Sequence, residues 1–476
     1  MRYEWLQTYA TGVCILAMLV SSSGASAQGQ TTGDRQAEAS ARLTAAAAIQ
    51  GATRARLGVL GDAFTCADAR FASFRRSDAE PSFADQWYVA SQVWADTVFL
   101  HAAVGDPNAA SLSGGFASES VGQSIAPLLA NWDPQDTRCY IDKGLVFLDR
   151  LWDYSNAGYF PRADPVGTTV DRGTRFTDDN LVAGLMFLAA AQTSADPYAR
   201  RRYIHAAQRE ADFLLLESTG LWDTTFGGGF WWNTGRGDSV EGKPAQTNAL
   251  AALFFARLYA ATDDATYREW SVRTLLWLDT ILYQPARHLY RWSVSFLNIP
   301  ARTGAVINER YFNYDQAIAV EAQLATLRMD GNASRLARAR DVAGATQSAF
   351  WAPDLGGYNL EAGIGQVYAS YGAWTSLGDL ALYDEDHDPS WLDPARANVT
   401  ALENQLREAD NGFAYRAYRC VDRVAPGCAS GQTAIVVDHT RDTVAQAWVQ
   451  HLQAALAERL RPAAVREVPL PLQVEP

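Results

Sequence analysis

The chain has 476 residues, of which 48% are hydrophobic and 20% are charged. This balance is typical of a globular protein with an ample core and excludes general disorder. The formal net charge of −13 argues against nucleic acid or an anionic membrane surface as a partner, because either would favour a basic face.

Residues 1–27 are predicted to be a cleaved secretion signal. Arg2 supplies a positive charge, "GVCILAMLV" (12–20) is a short apolar core, and Ala25-Ser26-Ala27 is a small-residue cleavage site. Nine apolar residues cannot span a bilayer, and no later stretch approaches a membrane span. We therefore expect a secreted or periplasmic protein that begins near Gln28.

Removing the signal removes Cys14 and leaves four cysteines, an even number that suggests two disulfides in an exported chain. Cys420 and Cys428 flank "VDRVAPG", a turn-rich stretch that favours local closure, and Cys66 with Cys139 follows by elimination. The cysteines and the six histidines show no metal-ligand spacing, so we predict no metal site and no cofactor.

Helices of two kinds alternate along the chain. Those of the first kind are apolar or small on nearly every side, which is typical of buried helices. They begin near Asp85, Asn180, Pro244, Tyr314, Gln366 and Asp442. Those of the second kind have a charged face and an apolar stripe; they begin near Thr193, Ala261, Arg328 and Asp384, with further candidates at 34–57 and 143–154.

This alternation of six inner and six outer helices, at a period of roughly 60 to 70 residues, predicts an all-α (α/α)6 barrel. We expect residues 28–476 to form one such domain, followed by a short extended tail from Val468. The N-termini of the inner helices would surround one opening, and a ligand would bind there.

Two adjacent acids open the second inner helix, in "RFTDDNLVAGLMF" (175–187). Asp178 and Asp179 could serve only to start the helix, with Thr177 as N-cap, since acids complement the helix dipole. Alternatively, two carboxyl groups held close together and out of water acquire different pKa values and divide acid and base work.

Other unusual stretches lie at the starts of the inner helices. "WDTTFGGGFWWN" (222–233) combines a flexible backbone with two broad apolar rings, and "YFNYDQ" (311–316) opens the fourth inner helix. Sugar faces stack on aromatic rings, and sugar hydroxyls pair with amide and carboxyl groups. The predicted cleft-lining residues are Trp231, Trp232, Asn248, Tyr314, Asp315 and Gln316.

The segments "DDNLVAGLMFLAA", "LWDTTFGGGFWW", "TNALAALFFARLY" and "NYDQAIAVEAQL", in this order, resemble the glycoside hydrolase family 76 α-1,6-mannanases. The resemblance runs from about Asp85 to beyond Glu321. It implies an (α/α)6 barrel and endo-acting hydrolysis of α-1,6-mannan with retention, with Asp178 as nucleophile and Asp179 as acid/base. It departs from the family where Asn180 follows the acid pair in place of Glu, and where Asp315 replaces Asn.

Three alternatives remain open. A sugar epimerase of this architecture would need a histidine acid/base pair, and the starts of the inner helices carry none. A hydrolase of unsaturated uronides would need basic partners, which Arg172 and Arg175 near the acids could supply. A glycan-binding protein without catalysis is the third. In each case we expect a monomer that binds a saccharide, with no nucleic-acid partner.

Overall fold

The computed structural model describes residues 31–104, 129, 132–194, 196–420, 428 and 434–461. The predicted secretion signal and the tail from Val468 lie outside these residues. The described part of the chain forms twelve α-helices: α1 (Thr32–Leu57), α2 (Gln86–Val104), α3 (Pro134–Leu151), α4 (Thr177–Thr193), α5 (Pro197–Leu215), α6 (Ala245–Thr262), α7 (Ala265–Ile281), α8 (Asn313–Asp330), α9 (Ser334–Phe350), α10 (Ala369–Asp386), α11 (Leu392–Leu406) and α12 (Thr443–Leu460).

The even-numbered helices form a closed inner ring. Each packs on the next, from α2 through α4, α6, α8 and α10 to α12, and α12 packs back on α2. On the outside, α3 packs on α2, α5 on α4, α7 on α6, α9 on α8, α11 on α10, and α1 on α12. This arrangement confirms the predicted (α/α)6 barrel. Some boundaries differ: α3 begins at Pro134, with Asp133 as N-cap, and not near residue 143, and α11 begins at Leu392, because Asp384 still belongs to α10.

Small residues allow the inner helices to approach one another. A Cβ atom placed on Gly184 of α4 would lie 2.5 Å from the Phe254 ring of α6. One placed on Gly378 of α10 would lie 3.1 Å from the Cα of Ala317 of α8. Since real Cβ contacts are longer, glycine sets the helix spacing at these two points.

Fifteen short strands join outer helices to inner ones within the described residues, in antiparallel sheets of two or three strands. Because several of them end directly before an inner helix, they form the rim of the opening. They are β1 (Gly58–Leu60), β2 (Ala72–Phe74), β3 (Ala84–Asp85), β4 (Arg162–Ala163), β5 (Val170–Asp171), β6 (Lys243–Pro244), β7 (Tyr283–Gln284), β8 (Leu289–Tyr290), β9 (Ser293–Ser295), β10 (Val306–Asn308), β11 (Trp351–Ala352), β12 (Gly357–Tyr358), β13 (Gln366–Tyr368), β14 (Arg416–Arg419) and β15 (Ile435–Asp438).

The pairing of strands within the sheets fixes where each strand ends and the following inner helix begins. In the sheet β13–β14–β15, Gln366 pairs with Tyr418 and Tyr418 pairs with Val436. In the sheet β10–β9–β6, Val294 pairs with Ile307 and with Lys243. Each sheet therefore carries its chain from an outer helix to the start of an inner one without breaking the ring.

A buried amide at the fourth residue of four inner helices ties each helix to the rim. The amide oxygen accepts from the backbone N–H of a residue in the preceding turn, and the amide nitrogen donates to the carbonyl of that same residue and to the carbonyl four residues back. The four amides and their turn residues are Asn180 with Tyr159, Asn248 with Phe230, Gln316 with Tyr290, and Gln446 with Phe413.

Both predicted disulfides are present. Cys66 pairs with Cys139 on α3, with their Cα atoms 6.0 Å apart, and Cys420 pairs with Cys428, with Cα atoms 5.6 Å apart. The first bond closes 73 residues of chain, so it ties the segment after α1 to the outer layer. Among the described residues, no helix combines the length and the apolar character that crossing a membrane requires.

Candidate active site

The second and third residues of the inner helices surround the opening at their N-terminal end. These residues are Trp87 and Tyr88, Asp178 and Asp179, Gln246 and Thr247, Tyr314 and Asp315, Ser370 and Tyr371, and Val444 and Ala445. Contacts join several of these helix starts: Gln86 Nε2 donates to the carbonyl of Asp179 over 3.1 Å, and the rings of Tyr314 and Tyr371 stack 4.6 Å apart. The opening therefore collects acidic, aromatic and amide side chains.

Asp178 is buried, whereas Asp179 is half-buried. The Asp178 carboxylate accepts two hydrogen bonds, from Trp232 Nε1 over 3.0 Å and from the backbone N–H of Asp179 over 3.1 Å. Among the described residues, no side chain or backbone group donates to the Asp179 carboxyl. Two adjacent acids thus have different surroundings.

Thr177 does not cap this helix, contrary to the alternative in which the acids merely start it. The N-cap is Phe176, which makes no side-chain capping bond. The Thr177 hydroxyl instead donates to the carbonyl of Trp231 over 2.7 Å, and its N–H donates to the carbonyl of Trp232 over 2.7 Å. Thr177 therefore fixes the loop that carries Trp231 and Trp232 (residues 222–233, the Trp-bearing loop) beside the acid pair.

Burial is the first cause of the perturbed pKa values of both acids. It raises the pKa of Asp178 to about 6, even though the bond from Trp232 acts in the opposite direction. The pKa of Asp179 is raised well above its usual range by burial, then by the charge of Asp178 and by that of Asp85. Asp178 is therefore the group that ionises first, and Asp179 keeps its proton to higher pH.

Only one of the two adjacent tryptophans faces the acid pair. Trp232 is half-buried, bonds to Asp178 and lies 4.9 Å from the Phe176 ring. Trp231 is 2% exposed and donates from Nε1 to Asp223 over 2.8 Å. The prediction that Trp231 lines the cleft is corrected, because its ring belongs to the core behind the loop.

Lys243 holds this loop together. Its ammonium group is fully buried and donates to the Asp223 carboxylate over 2.7 Å and to the carbonyls of Thr225 and Gly228 over 2.8 and 2.7 Å. Burial lowers its pKa to about 8, while Asp223 opposes that shift. Gly229, at φ 85°, lies against Trp277, and a Cβ atom there would come within 2.6 Å of that ring. The triple glycine therefore serves close packing around a buried ammonium.

Replacing Lys243 with Met should destabilise the protein by about 1–3 kcal/mol, because it removes the buried donor that the half-buried Asp223 carboxylate shares with the carbonyls of Thr225 and Gly228. Urea denaturation measures this loss. Lys143→Met, at a half-buried position of the outer helix α3, is the matched control and should change the unfolding free energy by no more than about 0.5 kcal/mol. A Lys243 variant as stable as this control would contradict the role assigned to the ammonium.

Three further predicted contacts are also corrected. Asn248 and Gln316 are fully buried, and their amides bond to backbone groups of the rim, so they position the helices without facing a ligand. Asp315 is fully buried as well, against the backbone of Gln246, and burial raises its pKa well above the usual range. Tyr314, by contrast, is half-buried at the second position of α8, and its contact with a saccharide stays a prediction.

Several residues at the opening were not predicted from the sequence. Trp87, Gln246 and Tyr371 are half-buried there, at the same two helix positions as the acid pair. Aligning the six inner helices at their first residue would have identified them, since these positions repeat in each helix. These residues are thus predictable from their shared position in the six inner helices and not from any single motif.

The two arginines near the acids do not form a basic pocket. The Arg175 guanidinium donates to Asp153 over 3.2 Å and to the carbonyls of Asn156, over 3.1 Å, and Ala157. Arg172 is exposed, with its guanidinium carbon 5.6 Å from the centre of the Phe160 ring. A uronate carboxylate would therefore have to displace an established set of bonds to pair with Arg175.

Comparisons with known proteins agree with this fold. The model of glycosyl hydrolase family 76 matches residues 167–369, which include the acid pair, the Trp-bearing loop and Tyr314. No match is found among curated proteins.

Similar solved structures include a family 76 glycoside hydrolase from a bovine Bacteroides thetaiotaomicron strain, at 17% identity and a TM-score of 0.61, covering 87% of this chain and 77% of that one. Another is an inactive variant of the α-1,6-mannanase of Salegentibacter sp. HEL1_6, in which two adjacent aspartates are replaced by asparagine, in complex with α-1,6-mannotriose. Its identity is 15% and its TM-score 0.56, with 87% of this chain and 99% of that one covered.

A sugar epimerase from a ruminal bacterium is similar too, at 12% identity and a TM-score of 0.55, covering 78% of this chain and 88% of that one. The barrel alone therefore does not distinguish a hydrolase from an epimerase. Residues 167–369, which contain the acid pair, match the model of glycosyl hydrolase family 76, and this match favours the hydrolase over the epimerase.

Proposed function

We propose that this protein is a secreted, retaining glycoside hydrolase that cleaves α-1,6-linked mannan internally, with Asp178 as nucleophile and Asp179 as acid/base. The observation that carries the proposal is the difference between the two adjacent carboxyl groups at the opening. Asp178 accepts two hydrogen bonds that favour its anion, and Asp179 has no donor among the described residues and a more strongly raised pKa.

Retention needs two displacements at the anomeric carbon, from opposite faces of the sugar, each of which inverts the configuration. In the first, the Asp178 carboxylate bonds to the anomeric carbon while the glycosidic bond breaks, and the leaving oxygen takes the proton of Asp179. In the second, Asp179 takes a proton from water, and the resulting hydroxide equivalent displaces Asp178. Asp179 is then protonated again, so the pair returns to its starting state.

Internal cleavage is supported by aromatic rings on two sides of the pair. Trp232 lies on the loop that leads to α6, and Trp87 lies on α2; these two helices pack on α4 from either side. A saccharide that contacts both would extend past the acids in both directions, as an endo-acting enzyme requires. We further propose export, which accords with the two disulfides, since such bonds persist in oxidising compartments.

Product analysis on linear α-1,6-mannan, beside unsaturated uronide oligosaccharides and other polysaccharides, tests the proposal. We expect a series of mannooligosaccharides from α-1,6-mannan alone, and NMR of the first product should show the α-anomer. Release of uronides would favour the uronide hydrolase, whereas mannan binding without any product would favour a non-catalytic glycan-binding protein. An initial β-anomer would contradict retention.

The dependence of kcat/KM on pH should be bell-shaped. The nucleophile must be ionised, so activity falls as pH drops through the pKa of Asp178, which burial raises to about 6. The acid must be protonated, so activity also falls as pH rises through the still higher pKa of Asp179. Initial rates from pH 4 to 9 measure both limbs, whose midpoints belong to the pair. An acidic limb in the ordinary aspartate range, about 3.9, would contradict the desolvation of Asp178.

A further inference from the structure

A second group of polar residues lies at the opening, on the side formed by α2, α10 and α12. It consists of Tyr88, Tyr371, Tyr415 and Asp442. Asp442 is the N-cap of α12. Burial raises the pKa of all three tyrosines, and the charge of Asp442 raises it further. All four residues lie outside the segment 167–369 that matches the family model. We call this group the tyrosine cluster.

Ring contacts fix the geometry of the tyrosine cluster. Tyr371 and Tyr415 both pack edge-on against Tyr368, with centroid distances of 5.9 and 5.1 Å. Tyr88 lies under Arg76, whose guanidinium carbon is 5.7 Å from the ring centre. The N–H of Thr443, the residue after Asp442, donates to the carbonyl of Arg76 over 3.0 Å. Asp442 is thereby held next to Arg76 and Tyr88.

The Asp442 carboxyl has capacity for further hydrogen bonds. One oxygen, Oδ1, accepts from the N–H of Ala445 over 2.6 Å. Arg76 faces Asp442 but is shared with Asp85, at 3.5 Å, and with Glu80, at 3.2 Å. Asp442 is 4% exposed, and a carboxylate this buried ordinarily has several donors.

A row of near-parallel rings links the tyrosine cluster to the acid pair. Burial raises the pKa of Tyr314, and the charge of Asp178 adds to this shift. The ring centroids of Tyr314 and Tyr371 are 4.6 Å apart, and that of Trp87, near-parallel to Tyr371, is 6.5 Å away. Because Tyr371 has neighbouring rings on both sides, its hydroxyl edge is the part left to meet a ligand. A saccharide that reaches from Asp178 over Tyr314 would therefore meet hydroxyl groups and a carboxylate next.

We propose that Tyr88, Tyr371, Tyr415 and Asp442 form a sugar-binding subsite for a neutral hexose residue of the oligosaccharide, separate from the residue at the acid pair. Sugar hydroxyls donate to a carboxylate and accept from tyrosine hydroxyls, so they match both kinds of group in the cluster. A uronate would be repelled by Asp442. This inference rests on the proposed function, because the same opening must bind a saccharide.

The test compares a long and a short substrate in two isosteric variants, Tyr371→Phe and Asp442→Asn. Phe keeps the row of rings, and the Asn oxygen still accepts from Ala445, so both variants should fold, which their melting temperatures verify. We expect kcat/KM on α-1,6-mannotetraose to fall about 10- to 100-fold. The loss on an activated aryl α-mannoside, which occupies only the acid pair, should be several-fold smaller. Tyr198→Phe, on the exposed face of the outer helix α5, is the matched control and should match the wild type on both.

Equal losses on both substrates, or no loss on mannotetraose, would overturn the subsite while leaving the proposed function intact. A wild-type protein that hydrolyses neither substrate would instead refute the proposed function. Titration calorimetry with mannotetraose then decides the subsite by itself. Binding that is at least tenfold weaker in both variants than in the wild type supports the subsite. Binding that is undiminished in the variants, or undetectable in the wild type, contradicts it.

Discussion

Asp178→Asn should abolish hydrolysis of α-1,6-mannooligosaccharides, lowering kcat by a factor on the order of 10⁴ or more. The amide has the shape of the carboxylate and its oxygen still accepts from Trp232 Nε1, which lies 3.0 Å from the wild-type side chain. What it lacks is the negative charge and the nucleophilic oxygen that form the glycosyl-enzyme bond. The variant should therefore still bind oligosaccharide, because its other contacts at the opening are retained.

Chromatography of the products measures turnover, and calorimetry with mannotetraose measures binding. Asp238→Asn, at an exposed position of the loop before β6, is the control for a generic loss of one acid and should keep wild-type activity. Retention of more than about a tenth of the wild-type kcat in Asp178→Asn would exclude this residue as nucleophile, since removing such a group ordinarily costs far more.

The barrel was predictable because a buried helix has apolar or small residues on every face of each turn. Inner helices such as α4 and α6 are apolar or small all round, so their sequences differ from those of the amphipathic outer helices. The order of the two types along the chain then determines the ring. Short strands such as β6 and β13 were not predicted, because two or three residues are too few to show a periodicity.

Asn248 and Gln316 were misassigned because an amide that binds sugar and an amide that binds backbone have the same chemistry. The distinction lies in position: the first four residues of the inner helices read TDDN, AQTN, NYDQ and TVAQ in α4, α6, α8 and α12, each with an amide at the fourth place. In α10 this place is Gly372, whose carbonyl receives the amide of Asn398 from the outer helix α11. The residues of the proposed active site occupy the second and third places instead.

The different roles of Trp231 and Trp232 could not be deduced from their order in the chain. Adjacent residues of an extended loop point to opposite sides, and either side could have faced the opening. Contacts with Lys243 and Asp223 hold the Trp231 indole in the core. Its Nε1 donates to Asp223, and its ring centre is 4.6 Å from the Lys243 ammonium. Those partners lie 8 and 12 residues away in the chain, and nothing in the local pattern indicates them.

Asp179→Asn should separate the two catalytic roles by the leaving group. An alkoxide leaving group needs the proton of Asp179, so we expect kcat/KM on α-1,6-mannotetraose to fall about 10²–10⁴-fold. An activated aryl α-mannoside departs as a weakly basic phenolate that needs little protonation. Formation of the glycosyl-enzyme should therefore be much less impaired, and the second step, which needs Asp179 as base, should become rate-limiting.

Burst kinetics with the aryl mannoside measures this contrast, and the alkaline limb of the pH profile should vanish in the variant because the group that causes it is gone. Asp178→Asn provides the comparison: it should be inactive on both substrates, with no burst. Without the neighbouring anion, the pKa of Asp179 in that variant should also be lower, since the charge of Asp178 contributes to raising it. If Asp179→Asn lost activity equally on both leaving groups, Asp179 would not be the proton donor, and adjacency of the acids would require another explanation.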